Sequence, residues 1–166
     1  MITLNDIKDA KKRLDGTVYK TPLMKAPFLS IQKNAEIFFK EDNLQLTGSF
    51  KLRGAFNKVA MLDDEKKAAG VVAASAGNHA QGLAFAASYF KCEATIFMPE
   101  ATPLTKVLGV KSYGANVVLT GENFDEAYAS AIKFAKDNNK EFVHPFADDE
   151  VIAGQGTIAL EILEKI

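Results

Sequence analysis

Residues 71–90, VVAASAGNHAQGLAFAASYF, decide the fold class of this chain. Val71 to Ala74 form a short apolar run with the length and composition of a buried strand. A loop of small residues follows, and residues 78–90 then carry apolar side chains at helical spacing. A continuous apolar run before a helix is typical of a parallel strand that is covered on both faces. This stretch therefore predicts one strand–helix unit of an α/β fold.

The same alternation of strands and helices continues on both sides of this unit. Short apolar runs predict strands at 37–39, 94–98, 116–119 and 141–144, and amphipathic stretches predict helices at 51–62, 103–113, 124–138 and from about Ala153. Asn5 or Asp6 is expected to cap a first helix that ends at Gly16, and a short helical turn is expected at 26–31. The predicted fold is α/β, a parallel twisted sheet with helices on both faces.

Composition narrows the classes of function. The chain has 166 residues, of which 48% are hydrophobic and 25% charged, as in ordinary globular proteins. A net charge of -1 offers no basic surface for nucleic acid or for an anionic membrane. Cys92 is the single cysteine, and with two histidines it predicts neither a disulfide nor a metal site. We therefore expect a cytoplasmic protein whose partners are small molecules or copies of itself.

The segment Thr47–Ala55, TGSFKLRGA, holds the first candidate for chemistry. Lys51 opens a predicted helix, and the positive end of the helix dipole lowers the pKa of an ammonium group. Gly48 lets backbone approach a ligand closely, and Phe50 offers a flat apolar face. A neutral amine is the form that attacks a carbonyl. The same residues also fit a capped helix start with Phe50 in the core and Lys51 in solvent.

The loop Ser75–Gly82, SAGNHAQG, holds the second candidate. It lies at the carboxyl end of a predicted parallel strand, where open α/β sheets bind their ligands. Small residues and a helix N-terminus expose backbone N–H groups that bind an anion such as a substrate carboxylate. The alternative is a tight capped turn in which His79 makes a local hydrogen bond. Neither a Walker A loop nor a dinucleotide fingerprint is present, because the glycine spacing of both is missing.

Other polar features carry weaker predictions. The run 154–157, GQGT, is expected to open the last helix, either as a ligand contact or as a glycine-rich turn capped by Thr157. His144, before Pro145, ends a predicted strand and is interpreted as structural. Cys92 has no adjacent base in the sequence, which argues against a nucleophilic role.

Together, the two motifs resemble the fold-type-II pyridoxal-phosphate enzymes, and among them the serine/threonine ammonia-lyase and serine racemase branch. The similar segments are Lys40-Glu41, Gln45–Ala55, Ser75–Ala84, Met98-Pro99, Thr102-Pro103, Lys106, Tyr113–Ala115, His144–Phe146 and Ile152–Thr157. Cysteine synthases differ by a Gly-Asn-Thr-Gly loop, and threonine synthases by an Asp where Leu52 stands. The Gly77-Asn78-His79 sequence is typical of the ammonia-lyases and racemases.

The resemblance implies a role for each site residue. Lys51 is expected to hold pyridoxal 5'-phosphate as a Schiff base and then to act as the general base for the substrate α-proton. Phe50 is expected to pack at the cofactor ring, and Asn78 to hydrogen-bond the ring hydroxyl. Ser75, Asn78 and His79, with nearby backbone N–H groups, are expected to hold the substrate carboxylate.

The resemblance also implies an activity. The expected enzyme is an L-threonine ammonia-lyase (threonine dehydratase) that makes 2-oxobutanoate and ammonia, in isoleucine biosynthesis or threonine catabolism, as a homo-oligomer (dimer or tetramer). Threonine is preferred as the expected substrate because of the overall similarity to the threonine dehydratases, and not because of any residue of the substrate pocket. Serine racemase or L-serine ammonia-lyase is the nearest alternative. A non-catalytic α/β binding or assembly domain is an alternative of another class.

The resemblance finally implies a domain organisation of the tryptophan-synthase-β type. Residues 1–47 are expected to belong to the large cofactor domain, residues 48–150 to a small mobile domain, and residues 151–166 to the start of the remaining large domain. The family's glycine-rich phosphate loop and its Ser or Cys near the pyridine nitrogen are not found before Ile166. We therefore expect an incomplete fold, the N-terminal half of the enzyme, with weakened retention of the cofactor.

Overall fold

The computed structural model describes all residues from Met1 to Ile166. The helices are α1 Leu4–Leu14, α2 Pro27–Lys33, α3 Lys51–Met61, α4 Asp64–Ala69, α5 Asn78–Tyr89, α6 Leu104–Lys111, α7 Phe124–Asp137 and α8 Asp149–Leu163, with a 3-10 turn at Asp42–Leu44. The strands are β1 Leu23–Lys25, β2 Phe38–Lys40, β3 Val71–Ala74, β4 Ala94–Met98, β5 Asn116–Leu119 and β6 Glu141–Phe142. None of the helices has the length and hydropathy that a membrane span requires.

The main sheet has four parallel strands in the order β5-β4-β3-β6. Side chains alternate across it, because successive residues of a strand point to opposite faces. On one face, Ile96 packs in the main core with Leu83 of α5. On the other face, Val72 and Phe97 pack with Ala131 of α7. The predicted parallel sheet with helices on both faces is therefore confirmed.

Helix α3 lies between α5 and α8, and glycines bring the three helices close together. A Cβ atom added at Gly154 of α8 would lie 2.5 Å from the carbonyl oxygen of Arg53. A Cβ atom at Gly82 of α5 would lie 3.1 Å from the backbone nitrogen of Leu52. The first turn of α3, which starts at Lys51, is therefore held between two other helices.

A buried ionic cluster fastens α3 to its surroundings. The guanidinium of Arg53, only 1% exposed, pairs with Asp42 at 2.7 Å and with Glu161 at 2.5 Å. It also donates to Thr157 Oγ1 at 3.2 Å, and Lys40 pairs with Glu161 at 2.5 Å. We call these five residues the Arg53 cluster. It joins the end of β2 and the 3-10 turn that follows to helices α3 and α8.

Two predicted helix starts are wrong. Helix α8 begins at Asp149 and not near Ala153, because the Asp148 side chain caps it by accepting from the backbone N–H groups of Glu150 and Val151. The run 154–157 thus lies inside a helix, and Thr157 is not a cap. Helix α1 is capped by Thr3 rather than by Asn5 or Asp6, because the hydroxyl of Thr3 and the carboxylate of Asp6 form a capping box.

The short elements also differ from the prediction. The predicted buried strand 37–39 is β2, which pairs antiparallel with the unpredicted β1 in a separate two-stranded sheet, and Phe39 is 51% exposed. Helix α4 was not predicted, and it starts where Asp63 accepts from the Lys66 N–H. The strand predicted at 141–144 ends at Phe142, although Val143 still donates to the Val72 carbonyl at 2.8 Å.

Candidate active site around Lys51

Lys51 is the first residue of α3, and its side chain turns inward. The ammonium nitrogen Nζ donates to the carbonyl oxygen of Pro145 at 2.8 Å and lies 5.3 Å from the centre of the Phe50 ring. Lys51 is half-buried, whereas Phe50 is 40% exposed. The alternative with Phe50 in the core and Lys51 in solvent is therefore wrong. Burial lowers the pKa of Lys51, because it penalises the charged form.

The other well-buried lysines have a different environment. The side chains of Lys40, Lys58 and Lys140 are 9%, 11% and 12% exposed, and each pairs with at least one carboxylate. A carboxylate partner favours the ammonium form. Lys51 instead contacts a neutral carbonyl, and no carboxylate lies within salt-bridge distance. Among these lysines, Lys51 is the one whose surroundings favour a neutral, reactive amine.

Buried polar atoms without hydrogen-bond partners concentrate around Lys51. They are Thr47 Oγ1, Ser49 Oγ and His79 Nδ1. Thr47 and Ser49 flank Gly48 just before α3, and Gly48 has a φ of 70°, which favours glycine. Nearly all buried polar groups in folded proteins have a partner, so such exceptions mark places where a further group is accommodated. These atoms fit a polar ligand beside Lys51.

The loop between β3 and α5 presents polar groups outward. Asn78, the first residue of α5, is exposed. The Ser75 hydroxyl accepts from the backbone N–H groups of Gly77 at 3.2 Å and of Ala80 at 3.3 Å. The first N–H groups of a helix have no partner within it, so they remain available to an anion. Ser75 therefore shapes the turn at the N-terminal end of α5.

His79 lies in the same turn but points the other way. Its ring is only 3% exposed, and Nε2 donates to the carbonyl oxygen of Val143 at 3.0 Å. Burial, together with the nearby charge of Lys51, lowers the pKa of His79 to about 4, so the ring is neutral near pH 7. The His79 ring is therefore not presented at the loop surface. The local hydrogen bond considered for His79 is in fact a long-range one.

Two contacts at the site were missed from the sequence. The carbonyl of Pro145 binds Lys51 across 94 residues of chain. The Gln155 side chain accepts from the Gly54 N–H at 3.2 Å and thereby ties α8 to the first turn of α3. Neither contact has a local signal, because each depends on the packing of distant segments. The structure thus brings Lys51, the α5 loop and the segment after β6 together.

Comparison with known proteins identifies the family of this chain. Residues 14–166 match the family described as pyridoxal-phosphate dependent enzyme. Over 166 residues the chain is 52% identical to an L-threonine ammonia-lyase of Thermotoga maritima, covering 100% of this chain and 41% of that protein. Among solved structures, threonine deaminase isoform 2 of Solanum lycopersicum superposes with a TM-score of 0.91 at 39% identity, covering 98% of this chain and 44% of that one.

A serine racemase of Dictyostelium discoideum superposes with a TM-score of 0.93 at 36% identity, covering 99% of this chain and 54% of that one. These likenesses confirm the predicted fold-type-II architecture. The chain spans about two fifths to one half of the length of these proteins. Because the family match covers nearly the whole chain and the half-buried Lys51 amine suits its chemistry, the chain belongs to the pyridoxal-phosphate dependent enzyme family, with pyridoxal phosphate as the cofactor.

Proposed function

We propose that the complete protein carrying this chain is an L-threonine ammonia-lyase, which converts L-threonine to 2-oxobutanoate and ammonia. The observation that carries the proposal is the environment of Lys51, a half-buried amine with a lowered pKa, a neutral acceptor and no carboxylate partner. The 52% identity to a protein named L-threonine ammonia-lyase supports threonine as the substrate.

The residues around Lys51 fit the cofactor. Lys51 would hold pyridoxal phosphate through Nζ, with the exposed ring of Phe50 beside it and the amide of Asn78 at the start of α5. When bound, the cofactor supplies a conjugated ring that withdraws electrons from the substrate α-carbon. The unpartnered hydroxyls of Thr47 and Ser49 offer further polar contacts.

Lys51 is proposed to move the substrate α-proton. A base must be neutral before it accepts a proton, and burial shifts Nζ toward that form. The hydrogen bond to the Pro145 carbonyl, at 2.8 Å, limits the directions in which Nζ can point. The lowered pKa and the restraint on Nζ both favour proton transfer by this side chain.

The loop before α5 is proposed to bind the substrate carboxylate. Ser75 and Asn78 contribute side chains, and the N-terminal end of α5 contributes backbone N–H groups and a favourable dipole. His79 contributes its backbone N–H, while its neutral ring supports the turn from inside through Val143. The substrate would thus be oriented with its α-carbon toward Lys51.

The proposal also includes a second candidate activity, a location, an assembly and a domain division. Serine racemase or L-serine ammonia-lyase activity is the second candidate, favoured by the likeness to a serine racemase structure. We further propose that the complete protein is cytoplasmic and homo-oligomeric. We also propose that residues 1–47 and 151–166 belong to the large cofactor domain and residues 48–150 to the small domain. A non-catalytic binding domain is the alternative if the cofactor does not react with Lys51.

A product assay on the complete protein tests the substrate. Incubation with L-threonine should yield 2-oxobutanoate faster than L-serine yields pyruvate. D-serine as the main product from L-serine would reject threonine ammonia-lyase in favour of serine racemase.

Covalent labelling tests the cofactor lysine separately. After incubation with pyridoxal phosphate and reduction with borohydride, peptide mapping should find the label on Lys51. Lys51→Ala should lose this label and the activity, whereas Lys111→Ala, which changes an exposed lysine of α6, should keep both. A label spread over surface lysines, or absent at Lys51, would contradict the assignment.

A further inference from the structure

Residues 143–147, which we call the 143–147 segment, connect β6 to the cap of α8. Two helices that carry site residues hold it in place. His79 of α5 donates to the Val143 carbonyl at 3.0 Å, and Lys51 of α3 donates to the Pro145 carbonyl at 2.8 Å. The segment contains no regular helix or strand, so its shape depends on side-chain contacts.

The imidazole of His144 provides such contacts. Its Nδ1 lies 3.2 Å from the backbone nitrogen of Phe146 and 2.9 Å from that of Ala147. Backbone N–H groups are always donors, so Nδ1 has to be the unprotonated acceptor of both. This pattern resembles the turn that an asparagine side chain forms with the N–H groups that follow it. His144 therefore closes the backbone around Pro145.

Aromatic side chains fix the orientation of the His144 ring. The ring of Phe146 meets it edge-on at 4.5 Å between centroids, and those of Tyr128 and Phe142 lie at 5.9 Å and 6.3 Å. Edge-to-face contacts of this kind are favourable. The ring is thus held from α7, from β6 and from the 143–147 segment itself.

We propose that His144 is a positioning residue for Lys51: its imidazole holds the turn that places the Pro145 carbonyl against the Lys51 amine. The inference rests on the proposed function of Lys51 as cofactor lysine and base. The Pro145 carbonyl and the Phe146 N–H belong to the same planar peptide group, so the bond from this N–H to His144 Nδ1 sets the direction of the carbonyl. His144 itself does not touch the amine.

Two substitutions in the complete protein separate this role from packing. His144→Leu removes the acceptor at similar bulk, whereas His144→Asn keeps a side-chain oxygen that can accept from the same N–H groups. The amide hydrogens of Phe146 and Ala147 should exchange about three to ten times faster in the Leu variant, since a net hydrogen bond contributes about 0.5–1.5 kcal/mol. The Asn variant should exchange nearly as slowly as the wild type.

Kinetics give the second readout. His144→Leu should lower kcat about three- to tenfold with little change in KM, because the substrate carboxylate site lies on another loop. His144→Asn should restore most of kcat. Unchanged amide exchange in the Leu variant, or an Asn variant as impaired as the Leu variant, would overturn the inference.

A third measurement covers the case in which the Leu variant does not fold. Nitrogen NMR of the wild-type protein should find Nδ1 of His144 unprotonated at neutral pH, and a protonated Nδ1 would overturn the inference. Failure of the proposed function is recognised differently. In that case the wild type makes no 2-oxobutanoate, while amide exchange and the NMR signal still report on the turn.

Discussion

Gly154→Ala is expected to destabilise the protein by forcing α3 away from α8. The new Cβ atom would lie 2.5 Å from the carbonyl oxygen of Arg53 and 2.6 Å from the Cα of Gly54. Ordinary contacts of a Cβ atom begin at 3.4 Å, so these atoms must separate by nearly an ångström. The clashing atoms are backbone, which cannot rotate away as a side chain can. The helices themselves have to move.

The magnitude follows from two opposing contributions. Overpacking of a close contact costs about 1–3 kcal/mol, and a clash between two backbones belongs at the upper end of that range. Alanine is more favourable than glycine inside a helix by about 1 kcal/mol. The net loss is therefore about 2 kcal/mol. For a cooperative unit of roughly this size, that loss corresponds to a melting temperature about 4–8 °C lower.

Gly109→Ala is the matched control. Gly109 also lies inside a helix, α6, but an added Cβ atom there would meet its nearest neighbour, Gln81, at an ordinary 3.6 Å. This variant should keep the helical benefit and melt slightly higher than the wild type. Circular dichroism of both variants checks the pair. If Gly154→Ala melts at or above the wild-type temperature, the close approach of α3 and α8 does not limit stability as argued.

Two further predictions concern buried charged and titratable groups. The pKa of His79 falls from 6.5 to about 4 on folding, so the folded state binds fewer protons between these values. Lowering the pH from 7 to 4 should therefore remove about 3 kcal/mol of unfolding free energy in urea titrations, and His79→Gln should lose most of this pH dependence. Arg53→Met should cost about 3–5 kcal/mol in the same assay, because Asp42 and Glu161 stay buried without their guanidinium. A loss below about 1 kcal/mol would contradict the importance assigned to the Arg53 cluster.

The elements that were predicted correctly are those with local signals. Strand β3 is a continuous apolar run, and α5 starts directly after a loop of small residues. Such patterns need no knowledge of distant partners. Strand β1 lacks such a pattern: it has three residues and pairs only with β2. Helix α4, with the sequence DEKKAA, has no apolar face to recognise.

The errors at α8 and at the site have a common cause. Gly154 suggested a turn because glycine usually interrupts helices, but here it permits contact with Gly54, which is 100 positions earlier in the chain. Lys51 and the α5 loop were found from their own residues and from the family resemblance. The Pro145 carbonyl and the inward direction of His79 depend on contacts across 94 and 64 residues. Such contacts exist only once the chain has folded.

The geometry of α3 explains how one helix carries both a buried ionic cluster and a lysine with a lowered pKa. Residues two positions apart on an α-helix are rotated by about 200°, so Lys51 and Arg53 face nearly opposite directions. Arg53 therefore meets Glu161 of α8, while Lys51 meets the Pro145 carbonyl. Residues four positions apart on a helix are neighbours, so a carboxylate at position 55 would favour the ammonium form of Lys51. That position is Ala55, so α3 is anchored by the charge of Arg53 while no carboxylate follows Lys51 at this spacing.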